Sequence, residues 1–229
     1  MHFIIEAILT AFRLIVSLNP EVFGIVLFTL KVSFWGTLIS TFFGVPLGFV
    51  IAVKEFPGKG TLLTVLNALM ALPTVVVGLT VYAFISRQGP LGQWGLLFTP
   101  SAVIIGQLVL ATPLIIALTI SATQSVDRKV GLTALTLGAD PIREALAILT
   151  EARFALFAAI IAGFGRVIAE VGAAMMLGGN IRGYTRTMTT AIALETSKGE
   201  FGFGLALGLI LMAIALGINF FFTYLQRRR

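Results

Sequence analysis

Two opposite charges interrupt a stretch of the chain that is otherwise apolar, residues 154–177. Arg166 and Glu170 are four residues apart in it, so a continuous helix would place both side chains on one face. If that helix crosses a bilayer, an unpaired arginine costs at least ~2.5 kcal/mol, and each charge needs a partner or water. The spacing indicates either a mutually neutralising pair that locks helices together or a pair beside a wet path, where Arg166 could bind an anion.

Two further arginines lie in the segment 178–201, which is rich in glycine, threonine and arginine. Arg182 and Arg186 are four residues apart, and their charge could draw a dianion toward a pore by electrostatic attraction. Backbone amides and hydroxyl groups of the same segment could donate hydrogen bonds to an oxyanion. Contact with acidic groups of a docked protein, or simple solvation, would account for the two arginines equally well.

Several kinds of chemistry are excluded by residues that the sequence lacks. There is no cysteine and one histidine, His2, which excludes disulfides, thiolate metal sites, cysteine nucleophiles and multi-histidine metal sites. A P-loop needs Gly, four residues, then Gly-Lys-Ser/Thr, whereas Gly58-Lys59 is followed by Gly60 and Val53 occupies the first position. We therefore expect no cofactor, no metal and no nucleotide site in this chain, and no enzymatic activity of its own.

The composition explains which elements must position these charges. The chain has 229 residues, 58% of them hydrophobic and 11% charged, whereas soluble domains carry about 25% charged residues. Apolar runs long enough to cross a ~30 Å hydrocarbon core cover residues 22–53, 62–85, 102–122, 154–177 and 203–225. The sequence predicts an all-α polytopic membrane bundle with five core spans. The net charge of +6 suits acidic lipid headgroups better than nucleic acid.

The distribution of basic residues predicts how the bundle faces. Nine lysines and arginines lie in one set of connections and the C-terminus, against five in the opposite set, which places the first set in the cytoplasm. The predicted organisation is an N-terminal segment 1–20, a transmembrane domain 21–226 and a basic cytoplasmic tail 227–229. The N-terminal segment is short and contains Glu6 and Arg13, so it is either an interfacial amphipathic helix or a sixth span.

One cytoplasmic connection, residues 123–153, is longer than the others and moderately polar. Gly138 stands where a left-handed helix cap is wanted, and Asp140-Pro141 can cap and begin the next helix. Two short helices joined at a glycine would form a knob on the cytoplasmic face that fits a groove on a partner.

This connection resembles the cytoplasmic loop of ABC importer permeases, whose pattern is Glu-Ala-Ala, three residues, Gly, nine residues, Ile-x-Leu-Pro. Gly138 matches the central Gly, Ala134 the second Ala, and Ile148 the later Ile, while Leu132 and Thr133 replace the Glu and the first Ala. The resemblance implies that the segment contacts a separate ATPase. The residues expected there are Leu132, Thr133, Ala134, Leu137, Gly138, Ala139, Asp140, Pro141 and Ile148.

A second stretch is similar to the molybdate, sulfate and tungstate branch of these permeases. Glu-Val-Gly-Ala at 170–173, Gly-Gly-Asn at 178–180 and Ala-Leu-Pro at 71–73 look most like the tungstate permeases. The resemblance implies a type I ABC importer permease-like fold and a path for a tetrahedral oxyanion. The residues expected to line that path are Arg166, Glu170, Gly172, Asn180, Arg182 and Arg186.

The same resemblance implies the partners and the place of action. We expect a homodimer of this chain, two copies of the ATPase, and a periplasmic or extracellular oxyanion-binding protein, in the cytoplasmic or inner membrane of a bacterium or archaeon. Tungstate is the expected cargo, with molybdate or sulfate as alternatives in the same class. A self-contained secondary carrier or channel is the alternative in a different class, and it would transport without any ATPase.

Overall fold

The computed structural model describes the backbone of residues 2–227 and the side chains of residues 4–224. Arg228 and Arg229 of the predicted basic tail lie outside the described residues. The described chain is helical, with these elements in order: α1 His2–Val16, α2 Pro20–Val53, α3 Lys59–Ala71, α4 Thr74–Ile85, a short 3₁₀ turn Gly92–Trp94, α5 Pro100–Gln124, α6 Arg128–Thr136, α7 Pro141–Glu151, α8 Arg153–Ile168, α9 Gly172–Gly178, α10 Met188–Ser197 and α11 Phe201–Arg227.

The helices confirm the all-α membrane bundle. Within the described residues α2, α5 and α11 are each long and apolar enough to cross a membrane, and there are up to five spans if each bent helix pair counts as one. The bent pairs are α3 with α4 and α7 with α8. The first span begins where Asn19 caps α2 by accepting from the amides of Glu21 and Val22, with Pro20 at the first helical position.

Two predicted spans are not continuous helices. The run 62–85 turns by 99° between α3 and α4, at Pro73, whose ring cannot continue a helix. The run 154–177 ends as a regular helix at Ile168 and resumes at Gly172. The prediction of one helix through Glu170 was therefore wrong.

The segment 178–201 is not an open outer loop as expected. It contains α10, which begins at a capping box formed by Thr187 and Thr190, and the helix is buried at Met188 and Ala191. These two side chains pack in a core cluster with Leu207 of α11 and residues of α2. The segment thus folds back into the bundle and fixes the positions of its charged residues.

The most extensive helix–helix contact of the bundle is between α2 and α5, and it is formed at small residues. A Cβ added at Gly44 would lie 2.9 Å from Ile115, and one at Gly48 would lie 2.7 Å from Thr119. Such distances require glycine, so the two helices approach closely along these positions. α5 also packs against α8 and α9, and α1 packs along α11.

Candidate functional site

The break between α8 and α9 is organised by the carboxylate of Glu170. Its Oε1 accepts a hydrogen bond of 2.9 Å from the amide of Ala173 in the first turn of α9, and its side chain is 3% exposed. The carbonyl of Glu170 accepts a 2.6 Å hydrogen bond from the hydroxyl of Thr189. Glu170 therefore caps a helix and ties the break to α10, in addition to any role as a charge.

Arg166 lies in the last turn of α8 and faces that carboxylate at a distance. Its Nη1 is 3.8 Å from Glu170 Oε2, and its side chain is 39% exposed. No residue in the described part of the chain accepts a hydrogen bond from its guanidinium. At ~1.5 Å per residue, the arginine lies about 20 Å along α8 from Arg153, the first residue of the helix.

The surface of α8 that carries Arg166 is lined by small side chains. Ala155, Ala162, Gly165 and Ala169 are exposed along it, and nothing lies within 4 Å of a Cβ added at Gly165. The adjoining surface of α8, with Gly163 among its residues, is buried against Ile115 of α5. The guanidinium thus projects from a slim helix face that this chain leaves open.

Gly172 and Asn180 occupy packing positions at the two ends of α9. A Cβ at Gly172 would be 2.8 Å from Val75 Cγ2 of α4, so the residue sets the α4–α9 spacing. Asn180 has a left-handed backbone (φ 50°), and its Nδ2 donates to the carbonyl of Thr190. The structure therefore does not bring these two residues to the guanidinium of Arg166 through any contact among the described residues.

Arg182 and Arg186 are held by carboxylates of the same chain, in a group that we call the outer charge cluster: Glu21, Arg182, Arg186, Glu195 and Lys198. Arg182 forms a two-point ion pair with Glu21, with Nε 2.6 Å from Oε1, and this hydrogen bond raises the pKa of Arg182. Arg186 is 9% exposed and lies 3.3 Å from Glu195. Two clefts of about 390 and 360 Å³ adjoin the cluster.

The sequence analysis missed both acidic partners in this cluster. Glu21 precedes Arg182 by 161 residues, and a sequence spacing carries no signal over that length. Glu195 lies nine residues after Arg186, across the turn that leads into α10, so no helical periodicity links the two. As a result, Arg182 and Arg186 are both already paired with carboxylates of this chain.

The predicted cytoplasmic knob is formed by residues 128–151, which we call the elbow. α6 ends before Gly138, which has φ +84°, and Asp140 Oδ1 accepts a 2.7 Å hydrogen bond from the amide of Arg143 to cap α7. The left-handed glycine and the aspartate cap are as the sequence predicted. α6 and α7 pack against each other where Gly131 meets Glu144 and Ile148.

The elbow presents apolar side chains away from the bundle. Leu137 is 82% exposed, and Leu132 is also exposed. Thr133 and Asp140 are exposed beside them, whereas Ala134, Ala139 and Ile148 are half-buried. Further exposed apolar residues were not predicted, namely Leu135, Ile142 and Leu146. An exposed apolar patch of this kind is typical of a surface that a protein partner covers.

Comparison with known proteins places this arrangement in a family. A family model described as "binding-protein-dependent transport system inner membrane component" matches residues 44–229. The chain belongs to this family. It is therefore a multi-pass inner-membrane permease that works with an ATPase and a binding protein.

Individual relatives cover most of the permease. It is 39% identical over 201 residues to the tungstate uptake system permease protein TupB of Peptoclostridium acidaminophilum, covering 88% of each chain. It is 41% identical to the protein of the same name in Campylobacter jejuni, covering 76% of this chain and 72% of that one. The molybdenum transport system permease protein ModB of Escherichia coli K12 is 32% identical, covering 80% of this chain and 84% of that one.

Solved structures confirm the fold. An amino acid ABC transporter crystallised with histidines contains a chain that superposes with a TM-score of 0.70 at 16% identity, covering 94% of this chain and 97% of that one. A chain of the inward-facing MetNI methionine ABC transporter superposes with a TM-score of 0.66 at 17% identity, covering 91% and 94%. The permease thus has the type I ABC importer architecture that the sequence resemblance implied.

Proposed function

We propose that this permease forms the membrane path of an ATP-driven importer for a tetrahedral oxyanion, and that its cargo is tungstate. The observation that supports this most strongly is the 39% identity to a tungstate permease over 88% of both chains. Identity to a sulfate permease of Escherichia coli is lower, at 27%. Molybdate is the alternative cargo, because its charge and size are nearly those of tungstate.

Within the membrane, Arg166 is the residue that we propose contacts the anion. Its guanidinium is partly exposed and is 3.8 Å from Glu170, too far for a strong hydrogen bond. Because an arginine facing lipid at this depth is costly, the face of α8 that carries it is better suited to a wet path. Glu170 partly neutralises the positive charge of Arg166, so an anion could bind to the arginine and be released again.

Two copies of the permease would be needed to enclose such a path. The small-residue face of α8 is open in one chain, and a two-fold axis beside it would place two Arg166 side chains around one conduit. Closed two-fold symmetry is the commonest arrangement of homo-oligomers. We therefore propose a homodimer with α8 of each copy facing the axis.

We propose that the elbow couples ATP binding and hydrolysis to the movement of the transmembrane helices. Leu137 and its apolar neighbours would dock in a cleft on one ATPase subunit, and each permease would hold one ATPase. When ATP brings the two ATPase subunits together, the elbows would move toward each other and open the bundle to the outside. A binding protein on the outer side would deliver the anion, and its pocket would set the choice among tungstate, molybdate and sulfate.

ATP hydrolysis by the assembled complex tests this function. The permease, its ATPase and the binding protein are reconstituted in vesicles, and hydrolysis is measured with tungstate, molybdate or sulfate present. We expect stimulation by the tungstate-loaded binding protein and none by sulfate. Hydrolysis by the permease alone, or stimulation by sulfate in preference to tungstate, would contradict the proposal.

A further inference from the structure

A large apolar cleft opens between the C-terminal half of α2 and the first two turns of α8. Its volume is about 770 Å³, and its lining residues are Thr41, Phe42, Phe43, Val45, Pro46, Leu47, Arg153, Leu156, Phe157 and Ile160. Cavities of ~300–1,000 Å³ are of the size that holds a small ligand. The side chains that line it are almost all apolar, with Phe42, Phe43 and Phe157 among them.

Arg153 stands at one end of this cleft without an acidic partner. Its guanidinium lies 5.1 Å from the ring centre of Phe154, in the range of a cation–π contact. No carboxylate of the described residues lies within 4 Å of it. The cleft therefore combines an apolar body with an unneutralised cation at its rim.

The distribution of basic residues predicts that Arg153 lies on the cytoplasmic side of the membrane. Arg153 is the first residue of α8 and follows α7 of the elbow. Lys54 follows the C-terminal end of α2, which the distribution of basic residues predicts to lie on the same side of the membrane. From Arg153 the apolar lining continues along the first two turns of α8 to Ile160, which in the predicted orientation is the direction of the inner leaflet.

We propose that the cleft binds an anionic phospholipid of the cytoplasmic leaflet. The phosphate would pair with Arg153, and an acyl chain would lie against Phe157 and the phenylalanines of α2. Basic pockets between helices on the cytoplasmic side are suited to acidic headgroups. Charge complementarity at the rim favours a lipid over a second copy of this chain, since a second copy would have to supply an apolar ridge and a carboxylate together.

This proposal concerns a lipid that regulates or stabilises the permease, and it goes beyond the transport of an oxyanion. The acyl chains of a zwitterionic lipid would fill the apolar part of the cleft equally well. The positive charge of its choline group would, however, weaken the pairing of its phosphate with Arg153. The permease should therefore discriminate between headgroups of equal chain length. Because Arg153 adjoins the elbow, an occupied cleft would also brace the junction between α7 and α8.

Native mass spectrometry of the purified permease tests the site. The protein is released from mixed vesicles of phosphatidylglycerol and phosphatidylcholine with identical chains, and the lipids retained per chain are counted. We expect one phosphatidylglycerol per chain to be retained in preference, and Arg153→Gln to weaken it at least tenfold, equivalent to ~1.4 kcal/mol. Lys54→Gln removes a cytoplasmic cation outside the lining and should leave retention unchanged.

A second pair of variants tests the apolar part of the cleft independently of the charge. Leu156→Trp fills the cleft and should release the lipid, whereas Leu216→Trp on the exposed surface of α11 should not. Because the chain has no cysteine, Phe157→Cys reports whether two copies meet there. Equal retention of both lipids, unchanged retention in Arg153→Gln, or rapid disulfide dimerisation through Phe157→Cys would each overturn the proposal.

Discussion

In this permease Arg166 and Glu170 are neighbours across a break in a helix. Nη1 of Arg166 is 3.8 Å from Oε2 of Glu170, while Oε1 of the same carboxylate accepts a hydrogen bond from the amide of Ala173. The carboxylate is thus fixed by the backbone of α9 and does not depend on the arginine for its position. Glu170 therefore has a structural role in capping α9, whereas the guanidinium of Arg166 donates no hydrogen bond within the described residues.

Replacing the arginine should reduce transport and also lower stability. Arg166→Gln removes no hydrogen bond among the described residues, but it leaves the buried carboxylate of Glu170 without the cation that lies 3.8 Å away, so the unfolding temperature should fall as well. A hydrogen bond to a charged group contributes ~1.5–3 kcal/mol, so we expect anion uptake to fall about 10- to 100-fold. Uptake in reconstituted vesicles and thermal unfolding of the same preparation measure the two effects, and unchanged uptake would remove Arg166 from the path.

Replacing the carboxylate should affect folding first. Glu170→Ala leaves the amide of Ala173 buried without an acceptor, at a cost of ~1–3 kcal/mol. Glu170→Gln keeps an acceptor oxygen and should restore most of that stability, which chemical denaturation would measure. A double change of Arg166 and Glu170 to leucine removes the unpaired charge but also the cap, so it should remain less stable than the wild type. Full recovery in the double variant would show that the ion pair matters more than the cap.

The elbow can be tested with two matched glycines. Gly138 and Gly58 both have a left-handed backbone, with φ +84° and +89°, and nothing lies within 4 Å of a Cβ added at either. An aspartate at each should cost a similar ~1 kcal/mol of conformational strain. We expect Gly138→Asp to abolish co-purification of the ATPase and Gly58→Asp to retain it. Equal co-purification of both variants would argue against a coupling role for the elbow.

The two arginines of the outer charge cluster should differ in their effect on stability. Arg186 is buried, and Arg186→Ala would leave Glu195 with Lys198 alone, at a cost of about 3 kcal/mol. Arg182 is 71% exposed, so Arg182→Ala should leave the unfolding temperature nearly unchanged. Thermal unfolding in detergent compares them, and equal destabilisation by both would mean that burial does not govern this cluster.

The packing role of Gly172 predicts an effect of added volume. Gly172→Val would push against Val75, 2.8 Å from the added Cβ, and overpacking of this kind costs ~1–3 kcal/mol. Gly217→Val in α11 adds the same volume where nothing lies within 4 Å and should be tolerated. The unfolding free energies of the two variants test this, and tolerance of Gly172→Val would show that α9 can move away from α4.

The parts of the structure that the sequence predicted are those set by local chemistry. The elbow follows from a glycine, an aspartate cap and a proline within four residues, and all act on their immediate backbone. The five apolar runs follow from composition, because each must match the thickness of the bilayer. The predicted Arg166–Glu170 neighbourhood follows from their spacing, although the helix that was expected to carry both is broken.

The parts that were missed depend on contacts between distant residues. No proline marks a break at Glu170 in the run 154–177, and the break is held by a hydrogen bond from Thr189 of α10. The partner of Arg182 lies at the start of α2, beyond the reach of any local pattern. The burial of α10 likewise depends on contacts with α2 and α11. Because its own sequence is rich in threonine, it was predicted to belong to a polar loop.

The most direct measurement of the central proposal is tungstate uptake into vesicles that contain the permease, its ATPase and its binding protein. We predict uptake that requires ATP and the binding protein, that stops when the ATPase is omitted, and that does not respond to a proton or sodium gradient. Gradient-driven uptake by the permease alone would show that it is not an ATP-driven importer, and ATP-driven uptake of sulfate in place of tungstate would show that the proposed cargo is wrong.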